Sequence, residues 1–234
     1  MILLVDADSL VFASCYSGKE DEKYFKDIKD AVVKFDEQFM SIVNRLEDEY
    51  DIKKVLVFNG SKGNFRKKIN PTYKANRRNA ELPPLLFNMH QYVKDNYNSI
   101  YGYGIETDDL VARYWKNLSD EVGRDNVMIV SLDKDYKQFP CLMYNYHYKH
   151  RCIYDISKET ALYNFYEQMI IGDGADNVNY FYGKGKAFAK KYYKGCKTKY
   201  QYTRRLFELF KKVYKSKARE KYIVCYNLLK LRTI

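Results

Sequence analysis

Short apolar runs alternate with longer amphipathic segments along the first half of the chain. The runs predict buried strands at residues 2–5, 54–58, 99–101 and 127–131. The amphipathic segments repeat apolar side chains at helical spacing and predict three helices. The first covers residues 27–49, the second begins at Pro83 and Pro84, and the third begins at Thr107. Strands that alternate with helices indicate an α/β fold with a mainly parallel sheet flanked by helices.

A change of pattern near residue 157 separates two regions of the chain. Residues 143–156 alternate loosely and predict a hairpin or edge strands, whereas apolar side chains beyond Ser157 recur only at helical spacing. The later helices are expected at residues 160–171, 186–193, 202–214 and 219–231. We therefore expect an α/β core over residues 1–156, which includes an irregular basic segment at about 62–98, and a helical lobe over residues 157–234.

Acidic side chains follow the predicted strands. They are Asp6 after the first strand, Glu106, Asp108 and Asp109 after the third, and Asp133 and Asp135 after the fourth. Because ligands bind beyond the carboxyl ends of parallel strands, we expect these acids to meet at one edge of the sheet. If Thr107 is the N-cap of the helix, the helix dipole favours acids in its first turn, which explains one or two of these acids. Glu106 and Asp109 share a helix face and repel each other, whereas a divalent cation would bind both.

The formal net charge is +11, and the charge is unevenly spread. No acid lies between Asp51 and Glu81, and residues 183–221 hold fifteen Lys or Arg with two acids. Such blocks, with tyrosines among the lysines, favour a nucleic-acid partner, although basicity for solubility is the alternative. No apolar run reaches the roughly 18 residues of a membrane span, and the N-terminus lacks signal-peptide features. Five cysteines without a C-x-x-C pair indicate free thiols in a reducing compartment.

Five motifs follow one another along the chain. They are Leu4-Val5-Asp6, the basic Phe65-Arg66 with Tyr73-Lys74-Ala75-Asn76-Arg77, Glu106-Thr107-Asp108-Asp109, Ser131-Leu132-Asp133-Lys134-Asp135 with Gln138-Phe139, and Gly172-Asp173-Gly174-Ala175-Asp176-Asn177-Val178. A Gly183-Lys184-Gly185 turn then leads into a helix. In this order the motifs resemble those of the bacteriophage and bacterial 5′-3′ exonucleases of the flap endonuclease superfamily, over about residues 1–195. Without a polymerase region, the chain is more similar to the stand-alone viral enzymes.

The resemblance implies a PIN-like α/β fold and a nuclease that cuts DNA, and RNA–DNA primers, at a 5′ end or 5′ flap during replication. It implies two divalent ions, Mg²⁺ or in its place Mn²⁺, held by acids at the top of the sheet. The first ion would bind Asp6, Glu106, Asp108 and Asp109, and the second would bind Asp133, Asp135, Asp173 and Asp176. We expect a monomer that binds DNA and no membrane, in the cytoplasm, which is that of the host cell if the protein is viral.

The resemblance also assigns roles to the basic residues. The basic segment corresponds to the arch or gateway of the family, in which Lys74 and Arg77 would contact the scissile phosphate, Arg66 would support them and Tyr73 would stack on a terminal base. Residues of about 172–195 correspond to a helix–turn–helix element (H3TH) that grips duplex phosphates and that holds K⁺ in relatives. Further DNA contacts are expected from Lys67, Lys68, Arg78, Gly183, Lys184, Gly185, Lys186 and Lys190.

Departures from the family pattern leave other interpretations open. Asn59 stands where relatives usually carry Asp, which allows a catalytically impaired DNA-binding module, while the additional Asp8 is interpreted as a helix cap. Asp6-Ala7-Asp8 with Gly172-Asp173 resembles the acidic motifs of a haloacid-dehalogenase-type phosphatase, although that late acid should follow a strand. A small PIN-type ribonuclease would share the sheet and the acids but not the basic segment or the lobe. A zinc site would use Cys141, His147, His150 and Cys152, whose spacing fits no common finger.

Overall fold

A six-stranded sheet forms the centre of the protein in a computed structural model that describes residues 1–233. Its strands are β1 (Ile2–Asp6), β2 (Lys54–Lys62), β3 (Ile100–Tyr103), β4 (Val127–Val130), β5 (Leu142–Asn145) and β6 (Cys152–Asp155). Their order across the sheet is β3-β2-β1-β4-β5-β6, and only β6 runs antiparallel to its neighbour. The predicted mainly parallel α/β sheet with a terminal hairpin is therefore confirmed.

Helices cover both faces of the sheet and make up the rest of the fold. They are α1 (Asp8–Ser14), α2 (Ile28–Glu47), α3 (Phe65–Ile69), α4 (Leu86–Asn96), α5 (Thr107–Val122), α6 (Lys158–Ile171), α7 (Lys186–Tyr192), α8 (Lys199–Tyr214) and α9 (Ala218–Leu229). The sequence pattern did not predict α3, which is too short to show a helical period, and set no bounds for α1, the helix that Asp8 was expected to cap. The basic segment is thus ordered, since it contains α3 and a 3-10 turn at Ala75–Arg77.

Strand β1 carries a continuous apolar run because both of its faces are covered. Leu3 and Val5 pack into a core with α1, α2 and α4, and Leu4 packs into a second core with α5 on the opposite face. Alternate side chains of a strand point to opposite faces, so a strand that is buried on both sides needs no polar positions. Central placement puts the acid at the end of β1 inside the molecule, between the ends of β2 and β4.

The helices after β6 form a third core of their own. Phe165, Met169, Leu206 and Phe210 are buried there, and Tyr73 of the basic segment packs into the same cluster. This helical lobe therefore holds the basic segment against the sheet edge. Among residues 1–233, none of the helices combines the length and apolar character that a membrane crossing requires.

Candidate active site

Asp6 lies at the carboxyl end of β1 and is 7 % exposed. Burial, and then the charge of Asp8, raises the pKa of the Asp6 carboxyl to about 7. The Tyr136 hydroxyl opposes this by donating a hydrogen bond of 2.8 Å to Asp6 Oδ2, while Asp133 raises the pKa further. Asp6 is thus a buried carboxyl close enough to the acids after β4 to be repelled by them.

The acids that follow β3 and β4 reach the same place. Burial, followed by the charges of Glu106 and Asp109, raises the pKa of Asp108. Asp135 has its pKa raised to about 7 by burial and then by Asp133, and its Oδ1 accepts a hydrogen bond of 2.8 Å from Gln168. The charges of these strand-end acids act on one another, so the predicted gathering of acids at one sheet edge is found in the structure.

Arg66, rather than an open space for a cation, separates Glu106 from Asp109. Its Nη1 donates to Glu106 Oε2 at 3.0 Å and to Asp109 Oδ2 at 2.6 Å, and its Nη2 donates to Asp109 Oδ1 at 2.9 Å. The repulsion between the two acids is thus relieved by a guanidinium. Asp109 is fully buried, and its Oδ1 also accepts from the Arg232 backbone at 2.8 Å. In this structure Asp109 is thus engaged by Arg66 and by the backbone, and its binding of the first ion stays a prediction.

Arg66 also ties the acidic helix to the end of α9. Its Nε donates to the Leu228 carbonyl at 2.9 Å and its Nη2 to the Lys230 carbonyl at 3.0 Å, so the guanidinium makes five hydrogen bonds. Gln138 holds the same segment, since its side chain donates to Leu229 and accepts from Leu231. Arg66 is only 1 % exposed, so it does not face the solvent, and it shares Glu106 with Lys74. The expected support of Lys74 and Arg77 by Arg66 stays a prediction.

Glu106, not Thr107, precedes the first turn of α5. Glu106 has extended backbone angles and makes no side-chain capping bond, whereas Thr107 is the first helical residue. The Glu106 carboxylate instead lies against Arg66 and the Lys74 ammonium. Burial favours the neutral acid, but Lys74 and then Arg66 outweigh it and hold the pKa of Glu106 below its usual value. The prediction of Thr107 as N-cap is wrong because the acid before it is held by cations from the basic segment.

The basic segment reaches directly into the acids. Lys74 has left-handed backbone angles (φ 55°, ψ 23°), and its ammonium pairs with Glu106 and lies 3.8 Å from Asp176 Oδ1. Arg77 donates to Asp176 Oδ1 at 2.8 Å and to the Ala175 carbonyl at 2.8 Å. The two cations that were expected to meet a phosphate therefore neutralise carboxylates in this structure.

Tyr73 does not present its ring for stacking. The side chain is 2 % exposed within the core of the helical lobe, and its hydroxyl lies 2.9 Å from Glu106 Oε2 and 2.6 Å from Asp176 Oδ2. Packing against the lobe covers the ring in this structure, and stacking of Tyr73 on a terminal base stays a prediction. The residue instead bridges two acids of different motifs.

A tight loop after α6 presents the last two acids. Gly172 has φ 76°, and a Cβ there would overlap the Val178 carbonyl oxygen, so glycine is required at this position. Asp173 and Val178 exchange two backbone hydrogen bonds of 2.8 Å, which close the loop. Burial would raise the pKa of Asp173, but Lys134, whose ammonium lies 3.0 Å away, holds it below its usual value. Every acid of the predicted second ion site thus lies near a neighbour from another motif.

The donor chemistry of this cluster fits a hard divalent cation. The ligands on offer are carboxylate oxygens. Asp6 is buried and Asp108, Asp133 and Asp135 are half-buried, and desolvation first and neighbouring charges as well raise their pKa values. Such mutual repulsion is relieved by added positive charge. Within residues 1–233, however, no three acidic, cysteine or histidine side chains already converge as an ion site. Binding a cation therefore requires Lys74 and neighbouring carboxylates to rearrange.

Asn59 and His90 form a contact that no motif indicated. Asn59 is buried; its Nδ2 donates to the His90 carbonyl at 2.8 Å and its Oδ1 lies 2.5 Å from His90 Nδ1. Asp8 accepts from the Gly60 backbone at 2.6 Å, so it links α1 to β2 instead of capping α1. The expectation of a capping Asp8 is wrong, because its side chain points across to the neighbouring strand. An isolated histidine on an amphipathic helix gives no signal from which its contact with Asn59 could be found.

The residues expected to contact DNA lie on two exposed surfaces. Lys67 and Lys68 are exposed on α3, and Arg78 donates to the Pro71 carbonyl at 2.7 Å. Gly183, with φ 73°, and Gly185 flank Lys184 in the turn before α7, where a Cβ on either glycine would meet nothing within 4 Å. The remaining expected contacts, Lys186 and Lys190, lie on α7. Lys184 packs its ammonium 4.4 Å from the Phe188 ring centroid.

Two alternative interpretations find no support in the structure. Cys152 pairs with Asn145 in the hairpin, whereas Cys141 is buried just before β5, about four strand residues or roughly 13 Å further along. The four proposed zinc ligands therefore do not meet within the described chain. Gly172 and Asp173 follow helix α6, whereas the phosphatase motif requires a strand before its late acid.

Comparison with known proteins identifies the family. Residues 1–165 match the family described as 5′-3′ exonuclease, N-terminal resolvase-like domain. This match covers more than half of the chain, and the protein belongs to that family. The resemblance drawn from the five motifs is therefore confirmed. No curated protein matches the sequence.

Solved structures confirm the PIN-like α/β fold with a helical lobe. The bacteriophage T5 D15 flap endonuclease, solved with DNA and metal ions, has 17 % identity and a TM-score of 0.60, over 97 % of this chain and 98 % of that one. The T5 5′-exonuclease with bound zinc has 16 % identity and a TM-score of 0.62, over 98 % and 99 %. The catalytic core of Rad2 with DNA substrate has 12 % identity and a TM-score of 0.54, over 100 % and 81 %.

Proposed function

We propose that this member of the 5′-3′ exonuclease family is a divalent-metal-dependent 5′ nuclease that removes 5′ flaps and 5′ ends from DNA during replication. The observation that carries the proposal is the cluster of mutually repelling carboxyls at the ends of β1 and β4, buried at Asp6 and half-buried at Asp133 and Asp135, which cations of the basic segment border. Burial first, and then the neighbouring carboxylates, raise the pKa of Asp6 and of Asp135 to about 7. Perturbed carboxyls of this kind are concentrated at functional sites.

The resemblance to the family divides the acids into two groups. Asp6, Glu106 and Asp108 would hold a first divalent ion, and Asp133, Asp135, Asp173 and Asp176 would hold a second. When bound, Mg²⁺ or Mn²⁺ supplies Lewis acidity that activates water and neutralises phosphate charge. Asp109 stays with Arg66 and fixes the position of α5, on which Glu106 and Asp108 depend.

Lys74 and Arg77 are the groups that meet the scissile phosphate. In the structure they pair with Glu106 and Asp176, so their charge is held at the edge of the acid cluster. A phosphate that enters the cluster offers them a second partner, and their charge then stabilises the negative charge that develops as the bond breaks. Tyr73 orients Glu106 and Asp176 through its hydroxyl.

Duplex DNA would lie on the basic helical lobe. Lys67 and Lys68 on α3 and the Gly183–Gly185 turn with α7 are the surfaces proposed for phosphate contacts, in an H3TH-like element over about residues 172–195 that would also take K⁺. The α/β core, residues 1–156, would perform the cleavage, and residues 157–234 would set the position of the duplex.

The test is cleavage of a 5′-labelled flap DNA with Mg²⁺, with EDTA, and by an Asp133→Ala, Asp135→Ala double variant. The expected result is release of a short 5′-labelled product that needs the metal and is lost in the double variant. Asp120→Ala is the matched control, because Asp120 is an exposed acid that pairs with Lys116 on α5. This control variant should cleave at the wild-type rate.

One other outcome would point to a second function. Asn59 brings no charge to the acid cluster and is held by His90, which favours a DNA-binding module with impaired catalysis as the alternative. Binding of the flap without metal-dependent cleavage, by a protein whose circular dichroism shows it folded, would support that module and refute the nuclease.

A further inference from the structure

A small cavity with an unusual lining lies between the core and the helical lobe. Its volume is about 200 Å³, several times the roughly 30 Å³ that one water molecule occupies. Its charged side chains are Lys158, Lys199 and Lys230, and no carboxylate is among the residues that line it. Three ammonium groups without a counter-charge around one cavity suit an anion.

Lys230 is the least exposed of the three, and its near neighbours are aromatic rings rather than carboxylates. Its ammonium lies 4.8 Å from the Phe139 ring centroid and 4.9 Å from that of Phe165. Within residues 1–233, none of the three lysines forms a side-chain hydrogen bond or an ion pair with a carboxylate. Burial, followed by the charge of Lys199, lowers the pKa of Lys230 to about 8, so the group is still mostly protonated near neutral pH. A half-buried cation that no carboxylate neutralises carries a desolvation cost, and a bound anion would relieve that cost.

Two helix ends add to the positive potential at the cavity. Lys158 is the first residue of α6 and Lys199 is the first residue of α8, and these helices have 14 and 16 residues. Helix N-termini carry partial positive charge and favour phosphate. In the first turns of the two helices, as the structure describes them, Glu159 is the acid present; it is exposed and does not line the cavity.

We propose that this cavity binds a phosphate group through Lys158, Lys199 and Lys230. The chemistry fits a phosphate of a nucleic-acid backbone and equally a free phosphate. The site is distinct from the acid cluster, because none of the proposed ion ligands lines the cavity.

The first measurement is thermal unfolding with inorganic phosphate against chloride at matched ionic strength, with EDTA present. Phosphate should raise the Tm of the wild type and of Lys217→Met, an exposed lysine outside the cavity, and should leave the Tm of Lys230→Met unchanged. In chloride, Lys230→Met should melt no lower than the wild type, since it removes a half-buried charge that no carboxylate neutralises. Lys199→Met, at the exposed rim, should reduce the phosphate-dependent rise without abolishing it.

The second measurement distinguishes the two sources of phosphate. Binding of flap DNA in EDTA is followed against salt concentration for the wild type and Lys230→Met. If the cavity takes a backbone phosphate, the salt slope should fall by about 1 in the variant. If it takes free phosphate, the slope should be unchanged while the Tm rise is lost. The proposal is overturned if phosphate does not raise the Tm of the wild type and the salt slope is the same in Lys230→Met. It is also overturned if the full rise in Tm persists in Lys230→Met. Because EDTA removes cleavage from both assays, such a failure would not bear on the nuclease proposal.

Discussion

Replacement of Arg66 by methionine gives the sharpest test of how the acids are held in place. Methionine keeps much of the buried volume but removes a guanidinium that donates to Glu106, to Asp109 and to two carbonyls after α9. Asp109 is fully buried and would keep only the Arg232 backbone N–H as a donor. Loss of one partner from a buried ion pair costs about 3–5 kcal/mol, and we expect Arg66→Met to lower the free energy of unfolding by that amount.

Urea unfolding followed by circular dichroism measures this change. Arg45→Met is the matched control, because Arg45 is 47 % exposed and pairs with Glu49 on the surface of α2, where an ion pair is worth about 0.3–0.5 kcal/mol. The double variant Arg66→Met, Asp109→Asn should be less destabilised than the sum of the single variants, since it removes both charges. If Arg66→Met lowers the free energy of unfolding no more than Arg45→Met does, Arg66 does not hold the acids in place as proposed.

Three further predictions concern the acid cluster itself. Lys74→Met should bind Mn²⁺ more tightly in calorimetry, because the ammonium no longer competes for Glu106. Its single-turnover cleavage rate should nevertheless fall about 10²–10³-fold. Unchanged binding and an unchanged rate would contradict this prediction. Asp6 and Asp135 have raised pKa values of about 7, so the folded protein binds their protons more tightly than the unfolded chain does. The free energy of unfolding without metal should therefore fall as the pH rises from about 4 to about 7, and Mg²⁺ should flatten that slope in urea titrations. An increase in stability over the same pH range would contradict the prediction. Asn59→Asp should lose the bond to the His90 carbonyl and cost about 1–3 kcal/mol without metal, most of it restored by Mg²⁺ in the same titration.

The sequence was sufficient to locate the acids but not their partners. Continuous apolar runs identify β1 and β4 because strands buried on both faces need no polar positions, and the acids just beyond them therefore come to one edge. Charge alone does not show which cation pairs with which acid. Arg66 meets Asp109 across 43 residues of chain, a contact that depends on how α3 packs against α9.

Burial of polar residues was the other feature that the pattern could not give. Tyr73 lies in a basic, exposed-looking stretch, yet the helical lobe covers its ring. Asn59 and His90 meet because α4 packs against β2, and neither residue has neighbours in sequence that indicate this. The burial of these polar side chains depends on tertiary contacts, and the periodicity of one sequence does not predict such contacts.

The five hydrogen bonds of Arg66 also have a consequence for the order of folding. Two of them reach carbonyls 162 and 164 residues downstream, so the acidic helix is secured only after the chain has been synthesised through residue 230. Contacts this distant in sequence form slowly, because closing such a long loop costs entropy before the contact is made. We expect a nascent chain that lacks this segment to have no nuclease activity, and pulse-labelled hydrogen exchange should show protection of α5 after that of β1 and β4. A nuclease that folds in this order would be inactive until its synthesis is almost complete.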